Sequence, residues 1–181
     1  MDTSAPQHPL RQFVHCPMCG GAFRDNDEKS RRCAACGFIY YFNPAAATVA
    51  VIRDEDDRLL VVRRAKDPAR GTLDLPGGFC DCCETAEQGV IREVREETGL
   101  EVEDTPRYLF SQPDTYLYSG FVVHTVDSFF ECRVRNAHSA QAMDDAGELM
   151  WLRPDEIDPA DFGLDSIREG IRRIIQYYQY Q

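Results

Sequence analysis

The sequence predicts an α/β (α+β) protein: a mixed sheet held between helices, with a small zinc ribbon ahead of it. Three observations lead there. Two Cys-x-x-Cys pairs stand close together before any long apolar run. Short β-branched runs, separated by turn residues, then follow through the middle of the chain. Two stretches with apolar residues at helical spacing complete the pattern, one near residue 90 and one at the end.

The size of the chain, 181 residues, suits one ordinary domain plus a small appendage, and about two thirds of the unfolded surface can be buried at this size. Net charge is −11 and the pI is near 4.8. That balance opposes a protein that holds nucleic acid by phosphate attraction, and an anionic substrate needs metal ions as intermediaries. The ribbon has a small basic group, Arg24, Lys29, Arg31 and Arg32, but the overall charge argues against nucleic acid as a partner. No apolar run approaches the ~20 residues of a membrane span, and residues 1–13 lack the basic and apolar regions of a signal peptide. The chain is therefore expected to be soluble and cytoplasmic, with a small-molecule substrate and no membrane partner. A homodimer stays open.

Residues 1–13 read as a tail and 14–40 as the ribbon. Cys16, Cys19, Cys33 and Cys36 form two knuckles, each followed by glycine, and four thiolates at this spacing suit tetrahedral Zn²⁺. So short a stretch has no core of its own, and metal binding supplies most of its folding free energy. A thioredoxin-like dithiol would need a βαβ context that this stretch lacks. His15 adjoins the first cysteine, but the four thiolates already complete the set. The main domain then covers 41–181. Aromatic residues in Tyr40-Tyr41-Phe42-Asn43-Pro44 imply that the connection packs between the two parts rather than swinging freely.

Residues 46–53 and 58–65 flank the acidic turn Asp54-Glu55-Asp56-Asp57 and read as an antiparallel hairpin. Leu73-Asp74-Leu75 is a short strand, and Leu75-Pro76-Gly77-Gly78 a loop whose glycines let backbone approach a ligand or metal. A helix follows, seated by Ala86, Val90, Ile91 and Val94 and stopped by Gly99. Strands are expected at 106–112 and 120–135, the second long enough to bend or carry a bulge. Residues 136–147 are polar and read as mobile. An apolar run resumes at 148–153 around Trp151. Leu164, Ile167, Ile171, Ile174, Ile175 and Tyr178 then form an amphipathic helix that can cover a sheet.

The helix near residue 90 carries the chemistry. Glu93, Glu96 and Glu97 stand at i, i+3 and i+4 and share one side. Like charges at these spacings repel by some tenths of a kcal/mol, so stability alone would arrange them otherwise. Hard oxygen donors in this number suit Mg²⁺ or Mn²⁺, which accept substrate phosphates in their remaining positions.

Nine fixed positions from Gly78 to Leu100 (Gly78, Glu84, Arg92-Glu93-Val94, Glu96-Glu97, Gly99-Leu100) resemble the signature of the Nudix hydrolases, which cleave a nucleoside diphosphate linked to another moiety. The resemblance implies a Nudix-like mixed sheet between helices. It implies Glu93, Glu96 and Glu97 as ligands of Mg²⁺ or Mn²⁺, with the Gly78 carbonyl contributing and Glu84 at or near the metal. Glu93 or Glu97 would take a proton from water, and Arg92 would fix Glu93. An additional acid from the loop before Trp151 is expected to assist: Asp145 first, then Asp144 and Glu148.

The ribbon ahead of this box is similar to that of the NADH pyrophosphatases within the superfamily. Those enzymes carry Ser-Gln-Pro-Trp-Pro-Phe-Pro past the box. This chain has Ser111-Gln112-Pro113 and then departs into Asp114-Thr115-Tyr116-Leu117-Tyr118. Ser111, Gln112, Tyr116, Tyr118 and Phe121 are the candidate substrate-binding residues, the aromatics by stacking. NADH or NAD⁺ is the expected substrate, with ADP-ribose or FAD as alternatives. A catalytically silent nucleotide-binding regulator would keep the fold but lose box acids, and all are present here.

Cys80, Cys82 and Cys83 crowd the loop before Glu84, where a redox pair or a soft-metal site is conceivable, but hard catalytic metals prefer oxygen and loop filling is the preferred reading. Cys132 is expected in the core. His124, in a strand, is expected to pack or hydrogen-bond. His138, in the polar loop, has no evident catalytic partner.

Overall fold

The computed structural model of the chain describes residues 9–143 and 146–179. The ribbon is a three-stranded antiparallel sheet of β1 (Phe23–Asp25), β2 (Ser30–Cys33) and β3 (Ile39–Tyr41). Pro9–Gln12 forms a 3₁₀ turn that buries Leu10, so the described part of the expected tail packs rather than trails. Phe13 continues this packing against Tyr40 (ring centroids 5.2 Å apart) and Phe42 (6.0 Å). Phe121 of the main domain meets the Phe13 ring edge-on at 5.7 Å and Phe42 at 6.1 Å. Aromatic contacts of this kind add about 0.5–1.5 kcal/mol each beyond the area they bury. The connection is packed, as its composition suggests.

The main domain runs β4 (Ala45–Ile52), β5 (Leu59–Arg64), β6 (Leu73–Asp74), β7 (Gly77–Phe79), α1 (Ala86–Thr98), β8 (Glu101–Val102), β9 (Arg107–Tyr118), β10 (Phe121–Cys132), β11 (Val134–Arg135), β12 (Ala146–Leu152) and α2 (Asp165–Gln179). One sheet has the order β7-β4-β10-β9, with β4 and β10 parallel and the other pairs antiparallel. A second, antiparallel sheet has the order β12-β5-β6. β8 and β11 pair separately.

The two cores follow from the side-chain alternation of β4. Val49 and Val51 point to one core, completed by Phe129, Phe162 and the α2 residues Ile167, Ile171 and Ile174. Ala50 and Ile52 point to the other, completed by Leu60, Val90, Val94, Leu100 and Phe130. Because both faces of β4 are covered, it reads as an unbroken apolar run. α2 lies close on the sheet at Gly170, where a Cβ would come within 2.4 Å of the Phe129 ring.

The expected hairpin of 46–53 with 58–65 is corrected. Both segments are strands, but only an isolated bridge joins Arg53 to Leu59, and β4 and β5 then part into different sheets. The physical reason is that both strands are apolar on both faces: Leu59, Leu60, Val61 and Val62 are all buried. A hairpin would cover one edge of each strand and neither face. The expected loop around Gly77-Gly78 is corrected as well, since Gly77–Phe79 is an edge strand paired with Ala47–Val49. Gly77 allows this approach, because a Cβ there would lie 2.1 Å from the Thr48 carbonyl oxygen.

α1 ends on Gly99 in the left-handed region (φ 68°), and Thr85 and Gln88 form a capping box at its start. Val90 and Val94 are buried as expected, whereas Ile91 is exposed; Gly89 and Thr98 are the other buried residues of α1. The strand expected at 106–112 extends to Tyr118. Pro113 is accommodated because β9 is an edge strand. The expected irregularity lies in this ladder: pairing shifts between Phe129 and Phe130, leaving Leu109 of β9 as the extra residue. Of the polar segment 136–147, Ala137–Ser139 is a 3₁₀ turn, and the amides of Gln141 and Met143 donate to the Thr98 and Glu97 carbonyls. No helix among the described residues is long and apolar enough to cross a membrane.

The turn that separates β4 from β5 is built on Asp54. Its Oδ1 accepts from the amides of Asp56 (3.0 Å) and Arg58 (2.9 Å), and Oδ2 from Arg58 Nε (2.8 Å) and Nη2 (2.7 Å). Burial alone would raise this carboxyl, but the Arg58 amide and guanidinium outweigh it and hold Asp54 below the usual carboxylate range. Asp54→Asn is therefore expected to destabilise the fold by about 1–3 kcal/mol at neutral pH. A folded-state pKa below the unfolded one contributes stability above the unfolded value and loses it as pH falls through the folded value. Denaturant titrations of wild type and variant should converge in strongly acidic buffer, and an unchanged difference there would contradict this account.

Candidate functional site

The ribbon brings the four cysteine sulfurs within 4.8 Å of one another. Cys16 Sγ and Cys36 Sγ are 3.8 Å apart, and Cys19 Sγ and Cys33 Sγ 3.5 Å. A tetrahedron with Zn–S bonds of about 2.3 Å has sulfur-to-sulfur edges of about 3.8 Å, so these residues fit the ion. Each knuckle closes through a glycine with positive φ, Gly20 (73°) donating to the Cys16 carbonyl and Gly37 (79°) to that of Cys33. The Met18 and Cys36 amides donate to the Cys16 and Cys33 sulfurs at 3.4 Å. Such donors favour the thiolate, and the Cys36 amide leads in bringing Cys33 down to about 6. His15 is exposed and stands outside this set.

The second site lies on α1 and β7. Arg92 is its centre. Nε donates to Glu84 Oε1 and Nη2 to Glu84 Oε2, both at 3.0 Å, a bidentate pair. Nη1 donates to Glu93 Oε1 (2.7 Å) and Glu96 Oε2 (3.0 Å), and Nη2 also reaches the Phe79 carbonyl (2.9 Å). Arg92 thus bonds Glu93, the residue it was expected to orient, but its fullest pairing is with Glu84. Hydrogen bonds from Arg92 and the Asp81 amide hold Glu84 below the usual range. Burial dominates at Glu93 and pushes its carboxyl up against the pull of Arg92. Glu97 Oε2 accepts from the Gly77 amide (3.0 Å), which ties the helix to the edge strand. At Gly78 a Cβ would lie 2.6 Å from Glu93 Oε1, so glycine lets the backbone pass against this carboxylate. The carboxylates of Glu93, Glu96 and Glu97 are hard oxygen donors, of a chemistry that fits Mg²⁺ or Mn²⁺. Among the described residues only the cysteines have ligand atoms already gathered within 4.8 Å.

A cavity of about 420 Å³ lies between the two sheets and reaches the α1 site at Gly77, Gly78 and Glu97. The ladder register decides what else faces it. Tyr116 pairs with Val123 and Tyr118 with Phe121, on the same sheet face as Thr125 and Asp127. Tyr116 and Tyr118 line the cavity accordingly. Ser111 points to the opposite, exposed face, and neither it nor Gln112 lines the cavity. Phe121 shares the cavity face but is engaged by Phe13 and Phe42. Asp144 and Asp145 lie outside the described residues, and Glu148 pairs with Arg63 on the exposed side of β12 (3.1 Å). His124 meets Thr115 Oγ1 (3.2 Å) and the Phe42 ring, and His138 meets Glu55 (3.2 Å). Cys132 is buried as expected; Cys82 and Cys83 are exposed.

Sequence reasoning missed a buried polar group in the cavity wall. Arg64 pairs with Asp74, and Ser166 Oγ stands between Asp127 and Asp114. The available signal was an aspartate inside a strand otherwise suited to the core, as in Leu73-Asp74-Leu75 and Val126-Asp127-Ser128.

An α1 rich in paired acids is seated on a mixed sheet beside a glycine edge strand, an α+β domain with Glu97 in the wall of a cavity. Residues 43–176 match the NUDIX domain, and the chain belongs to the Nudix family. A protein named ADP-ribose pyrophosphatase from Methanocaldococcus jannaschii is 45% identical over 60 residues, 33% of this chain and 35% of that protein. One named NAD-capped RNA hydrolase NudC from Vibrio vulnificus is 29% identical over 158 residues, 84% of this chain and 55% of the relative. The chain thus spans about a third to a half of these relatives' lengths. Among solved structures, a NUDIX hydrolase from Nitrosomonas europaea superposes with a TM-score of 0.72 at 23% identity, covering 92% of both chains, a likeness of fold.

Two outcomes are expected. Elemental analysis of protein prepared without chelator should give one zinc per chain, and Cys16→Ser should lose it and destabilise the ribbon; less than half an equivalent in the wild type would count against the site. Gly78→Ala should displace Glu93 and lower kcat by about a hundredfold, the scale on which a misplacement near 1 Å is felt. Turnover within a few-fold of wild type would show that the close approach at Gly78 is unimportant.

Proposed function

We propose that this chain hydrolyses the diphosphate bond of nucleoside diphosphate derivatives, with NADH or NAD⁺ first, and that Mg²⁺ or Mn²⁺ serves the reaction while Zn²⁺ holds the ribbon. The observation that carries this reading is one cavity with Glu97, Gly77 and Gly78 in one part of its wall and Tyr116 and Tyr118 in another. A diphosphate placed at the acids leaves its flanking ring within reach of the aromatic wall. The names of the relatives, an ADP-ribose pyrophosphatase and a hydrolase of NAD-capped RNA, support a diphosphate joined to a nucleoside. The net charge of −11 favours a small dinucleotide over an RNA chain.

Glu93, Glu96 and Glu97, with the Gly78 carbonyl, would hold the divalent ions. When bound, such ions neutralise charge on the diphosphate oxygens and lower the pKa of coordinated water. Arg92 spreads its charge over Glu84, Glu93 and Glu96 and holds these carboxylates together at α1 and the turn before it. Glu97 stands in the cavity wall, which supports assigning it the proton of the attacking water. Ser111 and Gln112 are left a supporting role in β9, whereas Tyr116 and Tyr118 are assigned ring stacking. ADP-ribose is a second reading, favoured by the 45% identity with the relative of that name over 60 residues.

Glu97→Gln and Glu93→Gln should each lower kcat by about a hundredfold or more. Near wild-type turnover in both would remove the proposed site. In a substrate panel with product mass analysis, NADH, ADP-ribose and FAD should be cleaved to a nucleoside monophosphate. If nucleoside triphosphates prove at least about tenfold better than all three in kcat/KM, a triphosphate-cleansing role replaces this one.

A further inference from the structure

The cavity wall away from the α1 acids carries a hydrogen-bonding arrangement that diphosphate chemistry does not use. Asp127 and Thr125 project from β10 on the cavity face, and each is almost wholly buried (6% and 3% exposed). Among the described residues no cation pairs with Asp127. Ser166 Oγ lies 2.5 Å from Asp127 Oδ2 and 3.1 Å from Asp114 Oδ2. A hydroxyl has one hydrogen, so it donates to only one of two carboxyls. Both contacts are satisfied when one of the two carboxyls keeps a proton and donates to Ser166, which donates to the other. Burial pushes Asp127 up, which agrees with this proton count. Asp127 Oδ1 is then a carbonyl-like acceptor. Beside it, Thr125 Oγ1 lies near the Asp127 carboxyl but makes no hydrogen bond of good geometry among the described residues, and a buried hydroxyl left so is costly. Tyr116, raised to about 12 chiefly by burial, stays a neutral phenol on the same wall. Arg64 is already held by Asp74 and by the Pro68 carbonyl.

We propose that Asp127, Thr125 and Tyr116 form a socket for the amino-bearing edge of a flat heteroaromatic ring, the exocyclic NH₂ of adenine or the carboxamide NH₂ of nicotinamide. This rests on the diphosphate-hydrolase reading and names the ring chemistry that reading leaves open. The amino group donates to Asp127 Oδ1, and the Thr125 hydroxyl serves a neighbouring ring or amide atom. A ring with a carbonyl or carboxylate in place of NH₂ sets acceptor against acceptor, and turning Asp127 to meet it would break the chain through Ser166 to Asp114. A buried group lacking its partner rejects an analogue far more strongly than an apolar wall does.

The test compares kcat/KM within two pairs, ADP-ribose against its hypoxanthine counterpart and NAD⁺ against its nicotinic acid counterpart. Equilibrium binding is measured in parallel for AMP against IMP and for the nicotinamide and nicotinic acid mononucleotides. Wild type should prefer the amino-bearing member of at least one pair by about tenfold or more. Asp127→Leu should bring that ratio to within about twofold of one, while Asp127→Asn, which offers both a carbonyl oxygen and an NH₂ group, should restore most of it. Should Asp127→Leu fail to fold, Thr125→Val should still lower the ratio at least threefold. A wild-type ratio near one in every pair, or a preference that survives Asp127→Leu, overturns the socket. If no diphosphate is cleaved but the binding preference follows Asp127, the socket stands and the hydrolase reading falls.

Discussion

Like charge on one helix face is the constraint around which this protein is built. Glu84, Glu93 and Glu96 all bond a single guanidinium, that of Arg92, which is itself largely buried. Surface ion pairs contribute under about 1 kcal/mol each, but here one planar donor satisfies three carboxylates and a backbone carbonyl at once. The arrangement requires α1 to lie flat against the sheet, which Val90 and Val94 secure, and requires β7 to run beside it, which the absence of side chains at Gly77 and Gly78 permits. Removing either condition would leave several acids repelling one another in a half-buried place.

The sheet that carries this helix is organised by β4. Its parallel pairing with β10 and antiparallel pairing with β7 join the cavity wall to the glycine strand. Its two buried faces seat α1 on one side and α2 on the other. The ribbon bears on the same sheet through Phe13, Phe42 and Phe121. Phe121 pairs across the hairpin with Tyr118, a residue of the cavity wall, so the cysteine ribbon and the cavity share one β-hairpin.

Local rules account for much of what the sequence revealed. The knuckles, the capping box, the Gly99 stop and the glutamate spacing each depend on residues a few positions apart, and α1 begins and ends where its caps lie. Periodicity identified the core face of α2 through Ile167, Ile171 and Ile174. The Ile91 reading failed because an apolar residue at the edge of a helical stripe can fall on either side of the contact. The hairpin reading failed because adjacency in sequence was taken for adjacency in a sheet, while β4 and β5 each needed cover on both faces.

What the sequence by itself determined is therefore the family of residues that meet along a single helix or turn: Arg92 with its glutamates, and the cysteine pairs at the ribbon. Covalent spacing and helix geometry fix those distances before any tertiary contact forms. Only the tertiary structure decided that Phe121 faces the ribbon, that Ser111 turns away from the cavity, and that Asp127, Thr125, Tyr116 and Ser166 meet in its wall. Those placements depend on the β9 and β10 register and on α2 closing over the sheet. A one-residue slip would send every one of those strand side chains to the other face. That register is chosen by the burial of Phe110 against Phe129 and of Phe129 beneath Gly170, contacts between residues far apart in the chain.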